Sequence, residues 1–293
     1  MIVNQAALAG IYKSFSTVFN QAFDAAPSQV DLIAMRAPSS GRSVDYKWLG
    51  DFPTMREWLG DRVIKDLGAF HYEITNRDFE STVEVDRNDI EDDQIGVYTP
   101  MIQGLAQASK NHPDILAFAL LAAGFTTLCF DGQYFFDDNH PVGDGLGNNT
   151  GGGASTPWYL LDLSRPIKPI ILQVRKQPEF VAMDRPDDEH AFMRKKFRYG
   201  VDDRKNVGYG LWQLAYGSKQ TLDTTYYAAA RAAMMAFKKE DGVTPLGIVP
   251  THLLCGATLE ASGKALLEAQ FNAAGGSNVW YNSAKLVVVP WLS

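Results

Sequence analysis

Cys129 and Cys255 are the only cysteines in the 293 residues. Two are too few for a disulfide framework or a cysteine-rich metal site, and both read as buried thiols. No apolar run approaches the roughly eighteen residues that a membrane span needs. The N-terminus also lacks the basic-then-apolar pattern of a secretion signal, so the chain is expected in the cytoplasm where it is made. Positive charge is scarce: 27 Lys and Arg against 34 Asp and Glu leave a net charge of −7. That balance argues against a surface built to grip nucleic acid, because such affinity comes mostly from cations that neutralise phosphates. The five histidines are dispersed, with no i, i+4 pair, no Cys-x-x-Cys companion and no Gly-x-Ser-x-Gly elbow. Neither a zinc site nor a nucleophilic triad gains support from sequence.

What the chain does carry is a heavy aromatic load near its start. Leu8, Tyr12, Phe15, Phe19 and Phe23 recur at the period of one helical face, with Asn4 placed to cap it. Beyond the turn-forming Ala37–Arg42 lie Tyr46, Trp48, Phe52 and Trp58, set among Gly50, Pro53 and Gly60, a pattern of a loop or arm. Phe70, Tyr72 and Ile74 then alternate with polar residues, Asn76-Arg77-Asp78 offers a turn, and Phe79, Val83 and Val85 return, which predicts a hairpin. Burying one such ring stabilises by about 1.5–3 kcal/mol, so these segments need a cover that a lone hairpin does not supply. Docking onto other copies of the chain is one cover, and intrachain packing is the plain alternative for any single ring.

Further along, Thr99-Pro100 reads as a helix start and His112-Pro113-Asp114 as a second, giving one long helix kinked or broken near Pro113, with Gly124 as its stop. Residues 137–157 collapse to Gly, Asn, Asp, Ser and Thr and predict a long flexible loop. Strands are predicted at Trp158–Asp162, Pro169–Val174, Gly208–Tyr216 and Ala284–Val289, and helices over 223–238 and from Thr258 onward. The class is α+β, with no repeated β-α-β unit.

Two constellations carry a chemical reading. Asp131, Asp137, Asp138 and His140 place three carboxylates and an imidazole close together, as a metal-dependent hydrolase would use them, although Asp and Asn beside Pro more often shape a turn. The cations Arg194, Lys195, Lys196, Arg198, Arg204 and Lys205 are surrounded by Asp187, Asp188, Glu189, Asp202 and Asp203. That mixture reads as a solvated face or a subunit contact.

Several stretches resemble, in the same order and nearly end to end, the major head subunits of Mu-like phages, whose capsid fold is of the Hong Kong 97 type. They are Ala26-Pro27-Ser28-Gln29; Trp48-Leu49-Gly50-Asp51-Phe52-Pro53-Thr54 with Glu57-Trp58; Asp86-Arg87-Asn88-Asp89-Ile90-Glu91-Asp92-Asp93; Asp131-Gly132-Gln133-Tyr134-Phe135-Phe136 with His140-Pro141; Tyr159-Leu160-Leu161-Asp162-Leu163-Ser164-Arg165 with Lys168-Pro169; and Gly208-Tyr209-Gly210-Leu211-Trp212-Gln213. The resemblance implies a non-enzymatic shell subunit without cofactor, metal or catalytic residue. It implies an N-terminal arm over 1–40, an extended loop over 41–75, and interleaved peripheral and axial domains over 76–293 with a spine helix at about 95–124. Phe15, Phe19, Trp48, Phe52 and Trp58 become inter-subunit contacts. The implied partners are other copies in hexamers and pentamers, a separate scaffold and maturation protease, and a portal protein, around double-stranded DNA held without sequence-specific binding and away from any membrane. The implied location is the virion, with assembly in the host cytoplasm. The alternative reading is a soluble hydrolase built on the 131–140 cluster.

Overall fold

The structure is a computed structural model and describes residues 3–49, 71–239 and 241–292. Helix α1 (Gln5–Ala25) begins where the Asn4 side chain accepts the Ala7 N–H at 2.9 Å, as its sequence predicts. Its inward stripe is Leu8, Ile11, Phe15 and Phe19, while Tyr12 and Phe23 flank it half-buried. A short α2 (Val30–Ile33) leads into β1 (Ala34–Pro38) and β2 (Ser43–Asp45). After the undescribed stretch come β3 (Glu73–Thr75), β4 (Arg77–Asp86) and α3 (Arg87–Glu91).

The expected hairpin between β3 and β4 does not form. β3 pairs with β2 instead, and the whole of β4 pairs antiparallel with a later strand from Lys196 to Lys205. Asn76, expected in the turn, is a buried link between two sheets: its backbone N–H donates to Arg42 O, and its side chain donates to Ser39 Oγ and Gly41 O. These side-chain bonds use the amide that a turn would have left in water, and the chain runs straight on.

The long helix α4 (Thr99–Ala122) is continuous through Pro113, with Thr99 as its first residue and Pro100 in its first turn, one position further in than a Thr cap would give. Three short strands follow, β5 (His140–Val142), β6 (Gly145–Gly147) and β7 (Thr150–Gly153), where a flexible loop is expected. β5 and β6 pair with each other, and β7 joins a sheet edge. Glycine serves closeness here: a Cβ on Gly153, whose φ is +90°, would lie 2.3 Å from Lys219 O. Beyond β8 (Trp158–Leu161), the strands β9 (Ile170–Met183) and β10 (Lys196–Tyr209) form a long hairpin tipped by α5 (Glu189–Arg194).

The predicted strand Gly208–Tyr216 is broken. β10 stops at Tyr209, a 3-10 turn occupies Trp212–Leu214, and β11 (Ala215–Lys219) starts afresh in the other sheet. Gly210 sits at the crossing, where a Cβ would meet Lys168 O at 2.3 Å. Helix α6 (Thr224–Met235) is capped by the Asp223 side chain as expected, and β12 (His252–Cys255), α7 (Glu260–Leu267) and β13 (Lys285–Val288) complete the chain with one parallel β-α-β unit.

Among the described residues the two larger sheets have the orders β1-β9-β10-β4 and β13-β12-β8-β11-β7, beside the two-stranded pairs β2-β3 and β5-β6. The larger core lies around the five-stranded sheet, with Trp158, Tyr159, Trp212, Tyr227 and Phe135 almost fully enclosed. A second core gathers α1, the first half of α4 and the four-stranded sheet around Phe15, Phe19, Phe197 and Tyr199.

Candidate functional site

The 131–140 cluster is real in space, but only in part. The His140 side chain is fully buried, its Nδ1 lies 2.6 Å from Asp131 Oδ2, and its ring stacks on Trp212 at 4.0 Å and 9°. The Cys129 thiol donates to the other Asp131 oxygen at 3.0 Å. His140 Nε2 faces Asn149 Oδ1 at 3.2 Å. Asn149 is itself oriented beyond doubt, because its Nδ2 meets the carbonyls of Phe135, Trp212 and Ala215 while its Oδ1 accepts the Asp137 N–H. Both imidazole nitrogens therefore face acceptors. Burial alone would raise the Asp131 carboxyl, but the bonds from His140 and Cys129 outweigh it and hold its pKa below the ordinary value. Burial first, and the Asp131 charge second, push the Cys129 thiol far up.

This geometry suits a structural latch. A general base needs a nitrogen that a substrate can reach, and both ring nitrogens of His140 are buried against Asp131 and Asn149. Cys129, Asp131 and His140 offer three ligand atoms within 4.8 Å of one another. Ligands around a tetrahedral zinc stand about 3.3 Å or more apart, as bond lengths of ~2.0–2.3 Å require. The contacts of 2.6 and 3.0 Å are hydrogen bonds with no room for an ion between their ends. Asp137 and Asp138 do not join the cluster; Asp137 accepts the Asn139 N–H at 3.1 Å, and Asp138 is exposed beside the Asn139 amide. The signal that sequence reading missed is Asn149, which looked like one more polar residue of a Gly-rich loop.

The residues expected at subunit contacts part into three groups. Phe15 and Phe19, each 2% exposed, are enclosed by their own chain. Phe15 meets Tyr199 edge-on at 5.1 Å, and Phe19 packs on Phe180 at 5.2 Å. Within the single subunit α1 folds back on the second core, which covers its apolar stripe. Trp48 is half-buried, edge-on to Tyr46 at 6.3 Å, and keeps part of its ring in solvent. Tyr46 is fixed in turn by Gln173, whose Oε1 accepts its hydroxyl at 2.9 Å. Phe52 and Trp58 lie outside the described residues.

Exposed apolar side chains collect elsewhere. Phe192 and Met193 on α5 are 81% and 70% exposed, and Val181 and Met183 project from the same hairpin tip. A second set comprises Leu146 on β6 and Val243, Phe271, Val279 and Tyr281 outside the strands and helices. Several isolated exposed apolars are ordinary, but a tip carrying four is a candidate contact. Part of the charge beside it pairs locally, with Lys196 and Arg198 both on Glu84 and Lys176 on Asp202 and Glu179.

A family profile described as Mu-like prophage major head subunit gpT matches residues 8–292. The major capsid protein of Escherichia phage Mu is 40% identical over 307 aligned residues, covering 100% of either chain. Among solved structures, the procapsid of bacteriophage JBD30 matches with a TM-score of 0.89 at 41% identity, covering 99% of this chain and 100% of that one. The JBD30 capsid matches with a TM-score of 0.79 at 33% identity, covering 100% of both.

Proposed function

The chain belongs to the Mu-like prophage major head subunit family and is a major capsid protein of the Hong Kong 97 type α+β fold, and from that premise we propose how its parts serve the shell. Residues 1–40 act as the N-terminal arm, 41–75 as the extended loop, and 76–293 as interleaved peripheral and axial domains, with α4 supplying the spine within 95–124. Copies tile the icosahedral shell as hexamers and pentamers. Trp48, with Phe52 and Trp58 of the same loop, touches sister subunits, in keeping with the concentration of aromatic rings at interface centres. A separate scaffold and a maturation protease attend assembly, a portal protein occupies one vertex, and the particle forms in the host cytoplasm. The shell encloses double-stranded DNA without reading its sequence, and the net charge of −7 favours a lining that lets the genome pass.

The subunit works without catalysis. The observation that carries this is the full-length match to subunits of assembled capsids, joined to an acid–imidazole cluster whose polar atoms face one another. Electron microscopy of the protein co-expressed with its assembly partners tests the reading, with closed shells or capsomer rings expected. Small discrete particles with a hydrolase activity that disappears in Asp137→Ala would reverse it.

A further inference from the structure

The long β9–β10 hairpin ends in α5, whose one buried residue, Ala191, seats it on the second core. The next two side chains turn away from that core: Phe192 is 81% and Met193 70% exposed. His190 Nε2 touches the Met183 sulfur, which brings the helix beside the end of β9. Met183 and Val181, two residues apart and so on one face of the strand, are exposed as well. Burying a side chain of this size stabilises by about 1.5–3 kcal/mol, and these four leave much of it unrealised.

The charges around Phe192 and Met193 are sorted by sign. Asp187 and Glu189 precede the pair and Arg194 and Lys195 follow it; all four residues are exposed, and none forms an ion pair with a described residue. A partner bearing one sign of charge would meet like charge at half of these positions. A second copy of the same tip, set head to tail, offers a cation to each acid and an acid to each cation, while ring and thioether meet across the middle. Resting on the shell-forming reading above, we infer that the α5 tips of neighbouring subunits dock on one another through Phe192 and Met193, with Asp187 and Glu189 of one copy facing Arg194 and Lys195 of the next. A patch confined to a hairpin tip is small beside the roughly 1,000 Å² that a specific pairwise interface buries. The tips therefore lock copies that the shell already holds side by side, and do not pair free subunits.

Glu189→Arg and Arg194→Glu, each co-expressed with the assembly partners, are expected to lower shell yield about tenfold by setting like charges across the contact. The double variant restores the complement between copies and is expected within about twofold of wild type. Inside one subunit the double exchange sets both charges against the α5 dipole, so a purely local role predicts no recovery. A double variant no better than the single ones, or wild-type yield from both single ones, overturns the inference. An independent readout is Met193→Cys, which places an accessible thiol in a chain whose Cys129 and Cys255 are buried. A short bis-maleimide is expected to join it into subunit dimers within assembled shells and to leave free subunits as monomers. Monomers alone from the shells, or a link to a different protein, overturns the inference. Failure of the wild-type control to form shells would instead strike at the capsid reading on which it rests.

Discussion

At the residue scale the latch of Asp131, His140, Cys129 and Asn149 sets the acid limit of its region. The Asp131 carboxyl is held below the ordinary aspartate value of 3.8, so its bonds contribute in full above that pH and are lost as pH falls through the lower folded value. Asp131→Asn is therefore expected to cost about 3 kcal/mol at neutral pH, the usual scale for breaking one side of a buried pair. Its gap from wild type should narrow once the pH drops below about 3.8, which denaturation measured as a function of pH reports. The cysteines obey the same burial logic. Burial pushes Cys255 up to about 11 and Cys129 higher still, so neither thiol should react with a maleimide or disulfide reagent at pH 8 until denaturant is added. Titration of free thiols in the native and unfolded subunit checks it: none native, two unfolded.

At the element scale one buried carboxylate joins the N-terminal segment to the long helix. Asp114, 3% exposed on α4, accepts from Ser28 Oγ at 2.8 Å, Gln29 N at 3.1 Å and Val30 N at 2.6 Å, so it caps α2 from another helix. Asp114→Ala should destabilise the subunit by about 2–3 kcal/mol, as lost charge-assisted bonds leave buried donors unmet. Thermal melting measures the loss, and hydrogen exchange should show it concentrated at residues 28–34. Helix signals such as Asn4, Asp223 and the α1 stripe were legible because they are local, set by caps and a 3.6-residue period. The strands were less so. Phe79, Val83 and Val85 do form a strand, but nothing near them names Lys196–Lys205 as the partner, and Asn76 looked like a turn because its bonds to Ser39 and Gly41 cross between segments. The latch was half legible for the same reason: Asp131 and His140 are neighbours in sequence, while the carbonyls that fix Asn149 come from Trp212 and Ala215.

At the scale of the whole molecule, separating folding from assembly is the useful distinction. Trp48 packs on Tyr46 at the rim of the larger core and keeps part of its ring in water. Trp48→Ala should thus leave a cooperatively melting subunit, lowered by about 1–2 kcal/mol, while shell yield drops several-fold. Loss of cooperative melting would place the ring in the subunit's own core. The four-stranded sheet adds a temporal dimension to the same molecule. Its two flanking strands, β1 and β4, leave the ribosome long before the β9–β10 hairpin that holds them apart. Loops of that length must close before any pairing rewards them, which slows folding. Until Lys205 has been synthesised β4 lacks its full partner, and the rings of Phe180 and Tyr199 that cover Phe19 and Phe15 also come late, so translation itself opens an interval in which chaperones, and not sister subunits, should be its first companions.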